Sequence, residues 1–195
     1  MAASRRIAFL RAINVGGNNM VRMGPLQESF ERLGFSDVST YINSGNVLFR
    51  STATDPRRLE RKIDAMLAAE FKLPAKTVVR SWSEMEGLLK IIDTTWRPDP
   101  DWRHNVIFLR HTIDSAGIVK DLAPKPEIER LEYCPGTLLW SVRIDGWTRT
   151  AMVKLPARAI YKDMTVRNLN TTRKVCELMQ RMKAEESDSR GRSRA

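Results

Sequence analysis

The spacing of apolar residues in the first half of the chain predicts an alternation of strands and helices. Short apolar runs bounded by Gly, Asn, Asp or Pro are typical of strands, and apolar residues three and four apart are typical of helices. By these criteria the strands are Ile7–Ile13, Val38–Ile42, Val47–Phe49 and Thr77–Val79. Helices that begin at Pro25 and Pro56 lie between them, so the order of elements is βαββαβ. This order is the split-βαβ, or ferredoxin-like, arrangement.

The helix that begins at Pro56 has the clearest signal. Asp55 can accept hydrogen bonds from the free N–H groups of the first turn, and Pro56 suits the first helical position because no N–H is needed there. The apolar residues of this helix form one stripe, at Leu59, Ile63, Met66, Leu67 and Phe71. We therefore expect one face of the helix to pack on a core.

The second half of the chain repeats a short piece of the first. The tripeptide Phe-Leu-Arg at residues 9–11 recurs 99 residues later, at residues 108–110. A hairpin around residues 134–136, a helix over residues 151–161 with a proline inside it, and a final helix over residues 171–182 follow. We predict an α+β protein with two ferredoxin-like βαββαβ halves in tandem.

The predicted domain boundaries follow from this repeat. The first half covers residues 1–80, a helix and linker cover residues 81–104, and the second half covers residues 105–182. The tail, residues 183–195, has four basic and three acidic side chains and no apolar residue larger than Ala. We expect this basic tail to be disordered, because it cannot bury enough apolar surface to offset its chain entropy.

The composition narrows the class of protein. The chain has 195 residues, of which 42% are hydrophobic and 29% charged, as in an ordinary globular protein. Its longest apolar runs have four or five residues, whereas a membrane-spanning helix needs roughly 18. No secretory signal pattern opens the chain, and two cysteines are too few for a disulfide framework. These features predict a cytoplasmic protein without a membrane partner.

The chain carries a large excess of positive charge. Its 33 Lys and Arg against 23 Asp and Glu give a formal net charge of +10. Such a surface favours polyanionic partners, because Lys and Arg near phosphates release condensed counterions. A charged surface also keeps a protein soluble, so the sequence leaves both roles open.

Three polar segments, at residues 11–19, 40–46 and 165–174, interrupt the regular pattern. They are poor in carboxylates, His and Cys, and so lack the groups used in acid–base catalysis and in metal binding. Their exposed backbone N–H groups, Asn amides and guanidinium groups instead suit anion recognition. We predict a ligand site, with no cofactor, metal or catalytic group, formed by Arg11, Asn14, Gly16, Gly17, Asn18, Asn43, Ser44, Asn46, Arg167, Asn168, Asn170, Thr171 and Lys174.

The same segments resemble the marks of a bacterial family of uncharacterised proteins, domain of unknown function 1697 (DUF1697). The family's LLRGINVGG-like start, TYIQSGNV-like hairpin and TxRNxNTxxKL-like helix start stand here as FLRAINVGG, TYINSGNV and TVRNLNTTRKV. The chain departs from these patterns at Ala12, Asn43 and Leu169. The resemblance spans nearly the whole folded chain and implies an α+β fold of ferredoxin-like halves. The family has no established activity, so the resemblance implies none.

Three hypotheses about function follow. The first, which we prefer, is a binding module for an anionic, phosphate-bearing ligand, either nucleic acid or a nucleotide. The second is a site or enzyme at the interface of the two halves for a phosphate- or carboxylate-bearing metabolite. The third is a protein-interaction module without a ligand. In that case Ser44 and Gly45 only form a two-residue hairpin turn, and Asn170 or Thr171 only caps the last helix.

Overall fold

A computed structural model of the chain describes residues 3–11, 13–14, 20–74, 76–97 and 99–192, with side chains up to Met182. Within these residues the strands are β1 (Ser4–Leu10), β2 (Ser36–Tyr41), β3 (Asn46–Ser51), β4 (Thr77–Ser81), β5 (Trp102–Leu109), β6 (Glu129–Cys134), β7 (Thr137–Arg143) and β8 (Met164–Asn168). The helices are α1 (Met23–Arg32), α2 (Pro56–Phe71), α3 (Trp82–Thr95), α4 (Ile118–Leu122) and α5 (Leu169–Arg192). Between β7 and β8 lie the 3-10 helices Ile144–Arg149, Ala151–Ala157 and Ala159–Asp163, together called the 3-10 segment below.

The first four strands form an antiparallel sheet in the order β2-β3-β1-β4. Ala8, in the central strand β1, lies opposite Val47 of β3 on one side and Val79 of β4 on the other. One face of this sheet packs against α1 and α2. In that core the rings of Phe35 and Phe49 lie 4.5 Å apart between centroids. The alternation of apolar residues along these strands thus places a buried face against two helices.

Helix α2 confirms the clearest signal in the sequence. The Asp55 carboxylate accepts a hydrogen bond from the Arg57 N–H at 2.9 Å, and Pro56 is the first residue of the helix. Lys72 ends the helix in the left-handed conformation, with φ 57°. The fully buried members of the predicted stripe are Leu59, Ile63, Met66 and Leu67. Local sequence alone therefore explains where this helix begins and which face it buries.

The other four strands form a second antiparallel sheet, in the order β6-β7-β5-β8. Ile107 of β5 lies opposite Leu138 of β7 and Val166 of β8, and these side chains enter the second core. Equivalent strands hence occupy equivalent positions in the two sheets. The chain is an α+β protein with two four-stranded antiparallel sheets and packed helices.

The two sheets share a detail where their first strands end. The Leu10 N–H donates a hydrogen bond to the Gly45 carbonyl at 2.7 Å, and the Leu109 N–H donates to the Gly136 carbonyl at 2.9 Å. Each Leu is the middle residue of the repeated Phe-Leu-Arg tripeptide. Each glycine lies in a strand connection with a positive φ, 76° at Gly45 and 78° at Gly136. The repeated tripeptide therefore marks a repeated local structure.

The helix predicted over residues 151–161 is wrong in type, because this stretch belongs to the 3-10 segment. Pro156 has no N–H to donate, and its ring collides with the carbonyl group four residues earlier in an α-helix. Short 3-10 turns avoid this collision. They still allow Met152 and Leu155 to pack into the second core.

The chain divides into two compact units. Unit 1 consists of Met1–Leu89 and Arg173–Ala195, and unit 2 consists of Lys90–Thr172. These boundaries lie inside α3 and α5, whereas the sequence-based boundaries follow residues 80, 104 and 182. A helix can cross such a boundary without any change in its apolar spacing, so hydropathy does not mark the division.

The backbone of α5 is helical as far as Arg192. This differs from the disorder expected for the tail as far as residue 192, and residues 193–195 lie outside the described residues. Lys, Ala, Glu and Arg make up much of this tail and have high helix propensity. Such a composition lacks the apolar residues that would pack into a core, yet it allows a helix to continue. Among the described residues, none of the helices combines the length and the hydropathy that a membrane span requires.

Candidate ligand-binding site

In unit 1 the side chain of Asn14 joins two of the polar segments. Its Nδ2 donates to the carbonyl groups of Val21 and Asn43, both at 2.9 Å, and its Oδ1 accepts from the Val21 N–H at 2.6 Å. Asn14 has φ 53°, a left-handed conformation that Asn adopts more readily than most residues. The two bonds to Val21 link the two ends of one loop, and the bond to Asn43 holds that loop against the β2–β3 connection. The predicted site residues Gly16, Gly17 and Asn18 lie outside the described residues.

The connection between β2 and β3 has four residues, 42–45, because Tyr41 pairs with Asn46. The predicted strands left a connection of the same length one position later, at residues 43–46, and a two-residue turn of Ser44 and Gly45 is too short. Asn46 is fully buried, and its Nδ2 donates to the Tyr41 carbonyl and to the Ser44 Oγ, both at 3.1 Å. The polar side chains of Ser44 and Asn46 thus bond to the turn itself. Burying an amide in this way requires such partners.

Two predicted cations also belong to unit 1. Arg11 directly follows β1 and is half-buried. The Lys174 Nζ lies 2.8 Å from the Glu177 carboxylate, and this hydrogen bond is the main reason that the pKa of Glu177 is lowered. Both side chains of that pair are more than a third exposed. An exposed ion pair of this kind contributes little stability, so Lys174 can exchange Glu177 for another anion.

Arg167, in unit 2, donates hydrogen bonds to neighbours in its own strand. One guanidinium nitrogen donates to the Thr165 Oγ1 at 2.7 Å and to the Val166 carbonyl at 2.8 Å. Burial lowers the pKa of Arg167 to about 10, and the nearby Tyr161 opposes this only in part. The group stays charged at neutral pH, and its local acceptors compensate for the water that it loses.

Asn168 caps α5, which begins earlier than the sequence predicts. Its Oδ1 accepts a hydrogen bond from the Thr171 N–H at 2.7 Å, and its carbonyl accepts from the Thr172 hydroxyl at 3.1 Å. Asn170 and Thr171 consequently lie in the first turn of the helix and not at its cap. The predicted cap was wrong by two or three residues because several consecutive Asn and Thr side chains can all form one.

Two of the predicted residues, Asn168 and Asn170, line a cleft in unit 2 that encloses about 490 Å³. The cleft lies where β5 begins, β8 ends and α5 starts. We call it the Trp147 cleft. Its other lining residues are Trp102, Arg103, His104, Asn105, Trp147 and Leu169.

A stack of aromatic and guanidinium groups forms one side of the Trp147 cleft. The Arg103 guanidinium carbon lies 5.6 Å from the centre of the Trp147 ring, and the Trp147 and Trp140 rings are stacked with centroids 5.4 Å apart. Trp140 is buried and donates its Nε1–H to the buried carboxylate of Glu129 at 3.1 Å. Trp147 itself is 39% exposed. A fixed indole thus supports an exposed indole and a cation.

Asn105 contributes an unpartnered amide to the same cleft. Its Nδ2 is buried and has no hydrogen-bond partner among the described residues. Asn105 lies opposite Trp140 of β7 and Asn168 of β8, so the three share one face of the sheet. A buried donor without an acceptor costs about 1–3 kcal/mol. Asn105 lines the cleft, so a turn of its side chain would bring this donor to an acceptor atom of a ligand and remove the cost.

A second cavity, of about 220 Å³, shares Trp102 and His104 with the cleft. The His104 ring stacks on Trp96 with centroids 4.7 Å apart, and its Nδ1 lies 2.9 Å from the Ser141 Oγ. The Arg130 guanidinium carbon lies 4.6 Å from the centre of the Trp102 ring. Aromatic rings paired with cations therefore occur on both sides of the start of β5.

We expect the pH dependence of stability to report the burial of His104. Burial lowers the pKa of this residue, although a backbone hydrogen bond with Arg97 and the charge of Asp99 act in the other direction. Below about pH 6.5, the ordinary pKa of His, the unfolded chain takes up a proton on His104 that the folded chain does not. The folded state therefore loses stability as the pH falls below about 6.5. Above this pH His104 is neutral in both states, so it no longer affects the free energy of unfolding.

Urea unfolding of the wild type and of His104→Gln at pH 7.5, 6.5 and 5.5 measures this contribution. The variant cannot take up the proton, so the stability of the wild type relative to the variant should decrease as the pH falls. Comparing the two proteins removes the effect of every other titrating group. A relative stability that is constant, or that increases at pH 5.5, would contradict a lowered pKa.

The described residues hold no cluster of three or more His, Cys, Asp or Glu side chains suited to a metal ion. Burial, assisted by the charge of Glu132, raises the pKa of Cys134, so this thiol stays protonated at neutral pH. Cys176 is buried, and its S–H group faces the Met85 carbonyl at 3.8 Å. Neither cysteine is an activated nucleophile.

Sequence reasoning missed six of the eight residues that line the Trp147 cleft: Trp102, Arg103, His104, Asn105, Trp147 and Leu169. The run Trp-Arg-His-Asn at residues 102–105 has no apolar alternation, and most of it falls in the predicted linker. A tryptophan next to an arginine at a strand start was the one available signal. No local pattern connects this run with Trp147, because strand pairing brings the two together.

The family model of a protein of unknown function (DUF1697) matches residues 3–139. The chain belongs to this family. The DUF1697 chain is also similar to a solved structure described as conserved bacterial protein SP0830 from Streptococcus pneumoniae, with 26% sequence identity and a TM-score of 0.80. That similarity covers 91% of this chain and 99% of the other. No curated protein matches the chain. Neither description names a ligand or a reaction.

Proposed function

We propose that this DUF1697 protein is a binding module for an anionic, phosphate-bearing ligand, a nucleic acid or a nucleotide, and that the Trp147 cleft is its site. One observation carries the proposal. The cleft combines a guanidinium over an exposed indole, Arg103 over Trp147, with the unpartnered buried amide of Asn105. Nucleotides offer the matching set of a flat base, hydrogen-bonding base edges and a charged phosphate.

The size of the cleft supports this choice. Small-molecule sites usually enclose about 300–1,000 Å³. The Trp147 cleft, at about 490 Å³, lies in this range, whereas the neighbouring cavity, at about 220 Å³, does not. The cleft therefore has room for one nucleotide unit.

The groups in the cleft divide into two roles. A base can stack on an indole or on the plane of a guanidinium, and Arg103, which lies over the Trp147 ring, offers the guanidinium plane. The Asn105 amide can bond to a base edge, as Asn does in nucleic-acid complexes. Arg103 keeps N–H groups at its edge for a phosphate oxygen. The net charge of +10 favours the encounter with a polyanion.

We further propose that each sheet with its connections is a ferredoxin-like half. The orders β2-β3-β1-β4 and β6-β7-β5-β8 are the same arrangement, and every neighbouring pair is antiparallel. In the second half the 3-10 segment takes the place of the second helix. RNA-recognition domains use this strand order, but that analogy concerns fold and adds little about ligands.

Fluorescence anisotropy with labelled single-stranded RNA and DNA dodecamers, at 50 and 150 mM salt, tests the proposal. We expect micromolar or tighter binding at low salt that weakens at the higher concentration. Trp147→Ala should raise Kd by about 5- to 150-fold, since stacking of one base contributes about 1–3 kcal/mol. Arg103→Ala removes an exposed side chain, so it tests the site with little risk to the fold.

Arg58→Ala is the matched control, because Arg58 is an exposed arginine of α2 in unit 1. It should leave Kd within about twofold of the wild type. Circular dichroism confirms that each variant is folded. Flat titrations with both nucleic acids, together with no rise in Tm from nucleoside mono- or triphosphates, would overturn the proposal. If Arg58→Ala and Arg103→Ala raise Kd equally, binding depends only on the net charge of the protein, and the Trp147 cleft is not the site.

A further inference from the structure

The 3-10 segment, which begins beside the Trp147 cleft, has a one-sided distribution of charge. Between Asp145 and Asp163 it has four basic residues and no acidic residue. These residues are Arg149, Lys154, Arg158 and Lys162, and all four are exposed. The whole chain, in contrast, has 23 acidic residues for its 33 basic ones. The segment is thus strongly basic, and we call these four residues the basic strip.

The cations of this strip are available to a ligand. Within the part of the chain that the structure describes, Lys154, Arg158 and Lys162 form no ion pair. Elsewhere several exposed arginines are paired with carboxylates, as Arg143 is with Asp145 at 2.9 Å. A polyanion can hence approach these three cations without first displacing a carboxylate partner.

The backbone that carries the strip is held in place. The Glu129 carboxylate accepts the Ala151 N–H at 2.7 Å, and the Lys125 Nζ donates to the Arg149 carbonyl at 2.6 Å. Met152 and Leu155 pack into the second core. The basic side chains therefore project from a fixed backbone, which lowers the entropic cost of aligning them along a ligand.

We propose that the ligand is a single-stranded nucleic acid and not a free nucleotide: one base occupies the Trp147 cleft, and the following phosphates bind along the 3-10 segment. This inference rests on the proposed function of the cleft. Trp147 lies in the first of the three 3-10 helices and lines the cleft, so cleft and strip are continuous in the chain. A single nucleotide would leave the strip unused.

An anionic membrane surface is the competing polyanion, because Ile144, Trp147 and Val153 are exposed apolar residues of the same segment. Membrane-surface binding depends on a helix with one long apolar face. Here the segment is broken into short 3-10 turns, and Met152 and Leu155 are buried in the core. Trp147 lies against an arginine and a second indole, where it meets polar cleft residues. These contacts favour nucleic acid.

The test is a length and salt series on the full chain, measured by isothermal titration calorimetry with nucleoside monophosphate and with single-stranded oligonucleotides of three, six and twelve residues. Affinity should increase with length beyond three. Each phosphate contact on a single strand adds about 0.7 to the slope of log K against log salt. A triple variant that combines Lys154→Ala, Arg158→Ala and Lys162→Ala removes three of these contacts.

For the dodecamer this triple variant should lower the salt slope by about 2, and it should leave the affinity for the monophosphate unchanged. The matched control is Arg57→Ala, Arg58→Ala and Arg61→Ala, which removes three exposed arginines of α2. The control should keep the wild-type slope. Because all six residues are exposed, both triple variants should fold.

The outcomes separate this inference from the proposed function. If monophosphate and dodecamer bind equally tightly, and Arg103→Ala weakens both, the cleft is confirmed and the strip is overturned. If both triple variants lower the slope of log K against log salt equally, the phosphates do not bind specifically along the 3-10 segment, and the inference is overturned. If vesicles of phosphatidylcholine with 30% phosphatidylserine bind through the strip and oligonucleotides do not, membrane is the partner and the inference is overturned. If no ligand binds, both proposals fail.

Discussion

Gly45→Ala is expected to destabilise the protein by about 2–5 kcal/mol, a large effect for one added methyl group. Gly45 has φ 76°, a left-handed conformation that costs an L-residue about 1–2 kcal/mol. A Cβ at this position would also lie 2.9 Å from the Ile13 Cγ1, from the Leu10 Cβ and from the Leu10 carbonyl oxygen. Overpacking of this kind costs a further 1–3 kcal/mol or so.

The backbone contact makes this cost hard to relieve. The Gly45 carbonyl accepts the Leu10 N–H at 2.7 Å, so the chain cannot move away without breaking that bond. Gly34→Ala is the matched control, because Gly34 has φ 81° and an added Cβ would meet nothing within 4 Å. The Gly34→Ala variant should lose only the stability that the left-handed backbone conformation costs an L-residue, about 1–2 kcal/mol. Urea unfolding of both variants measures the difference, and equal losses would contradict the steric argument.

Glu129→Ala is expected to destabilise the protein by about 3–5 kcal/mol. Glu129 is 1% exposed, and its carboxylate accepts hydrogen bonds from three donors. These are the Lys125 N–H at 2.9 Å, the Ala151 N–H at 2.7 Å and the Trp140 Nε1–H at 3.1 Å. Each donor left buried without an acceptor costs about 1–3 kcal/mol, and the truncated side chain leaves a cavity in addition.

Glu127→Ala is the control for Glu129→Ala, since Glu127 is exposed and lies two residues away. A surface substitution of this kind changes stability by about 0.5 kcal/mol or less. Thermal and urea unfolding compare the two. A loss below about 1 kcal/mol for Glu129→Ala would contradict the role assigned to the carboxylate. Because Glu129 holds both Trp140 and Ala151, the variant should also weaken ligand binding at the Trp147 cleft and along the 3-10 segment.

Features that depend on local spacing could be predicted from the sequence. The start of α2 follows from Asp55 and Pro56, and its buried face follows from the stripe at residues 59–71. The Phe-Leu-Arg repeat pointed to the repeated strand ending at Leu10 and Leu109. Propensity and periodicity are properties of neighbouring residues, so one sequence carries them in full.

Features that depend on competition between similar residues could not be predicted from the sequence. In the run from Asn168 to Thr172, several side chains can cap a helix, and strand pairing of Asn168 with Asn105 selects the first. The stretch over residues 151–161 has helical spacing, but Pro156 and the fit of Leu155 to the core select 3-10 turns. In the first case a tertiary contact decides between local alternatives of similar energy. In the second, the proline disfavours a continuous α-helix, and the core contact of Leu155 accompanies the 3-10 turns.

By itself, the sequence determined the α+β class, the succession of strands and helices along the first half, the basic charge and the polar segments that mark the DUF1697 family. Only the tertiary structure decided where the candidate ligand site lies. The side chains of Asn14, Ser44 and Asn46 hold a loop and a turn in place. The cleft instead arises where strand pairing sets Asn105 beside Asn168 and where Trp147 meets Arg103. Both contacts join residues that are distant in the sequence, and strand pairing and burial over such distances leave no local pattern.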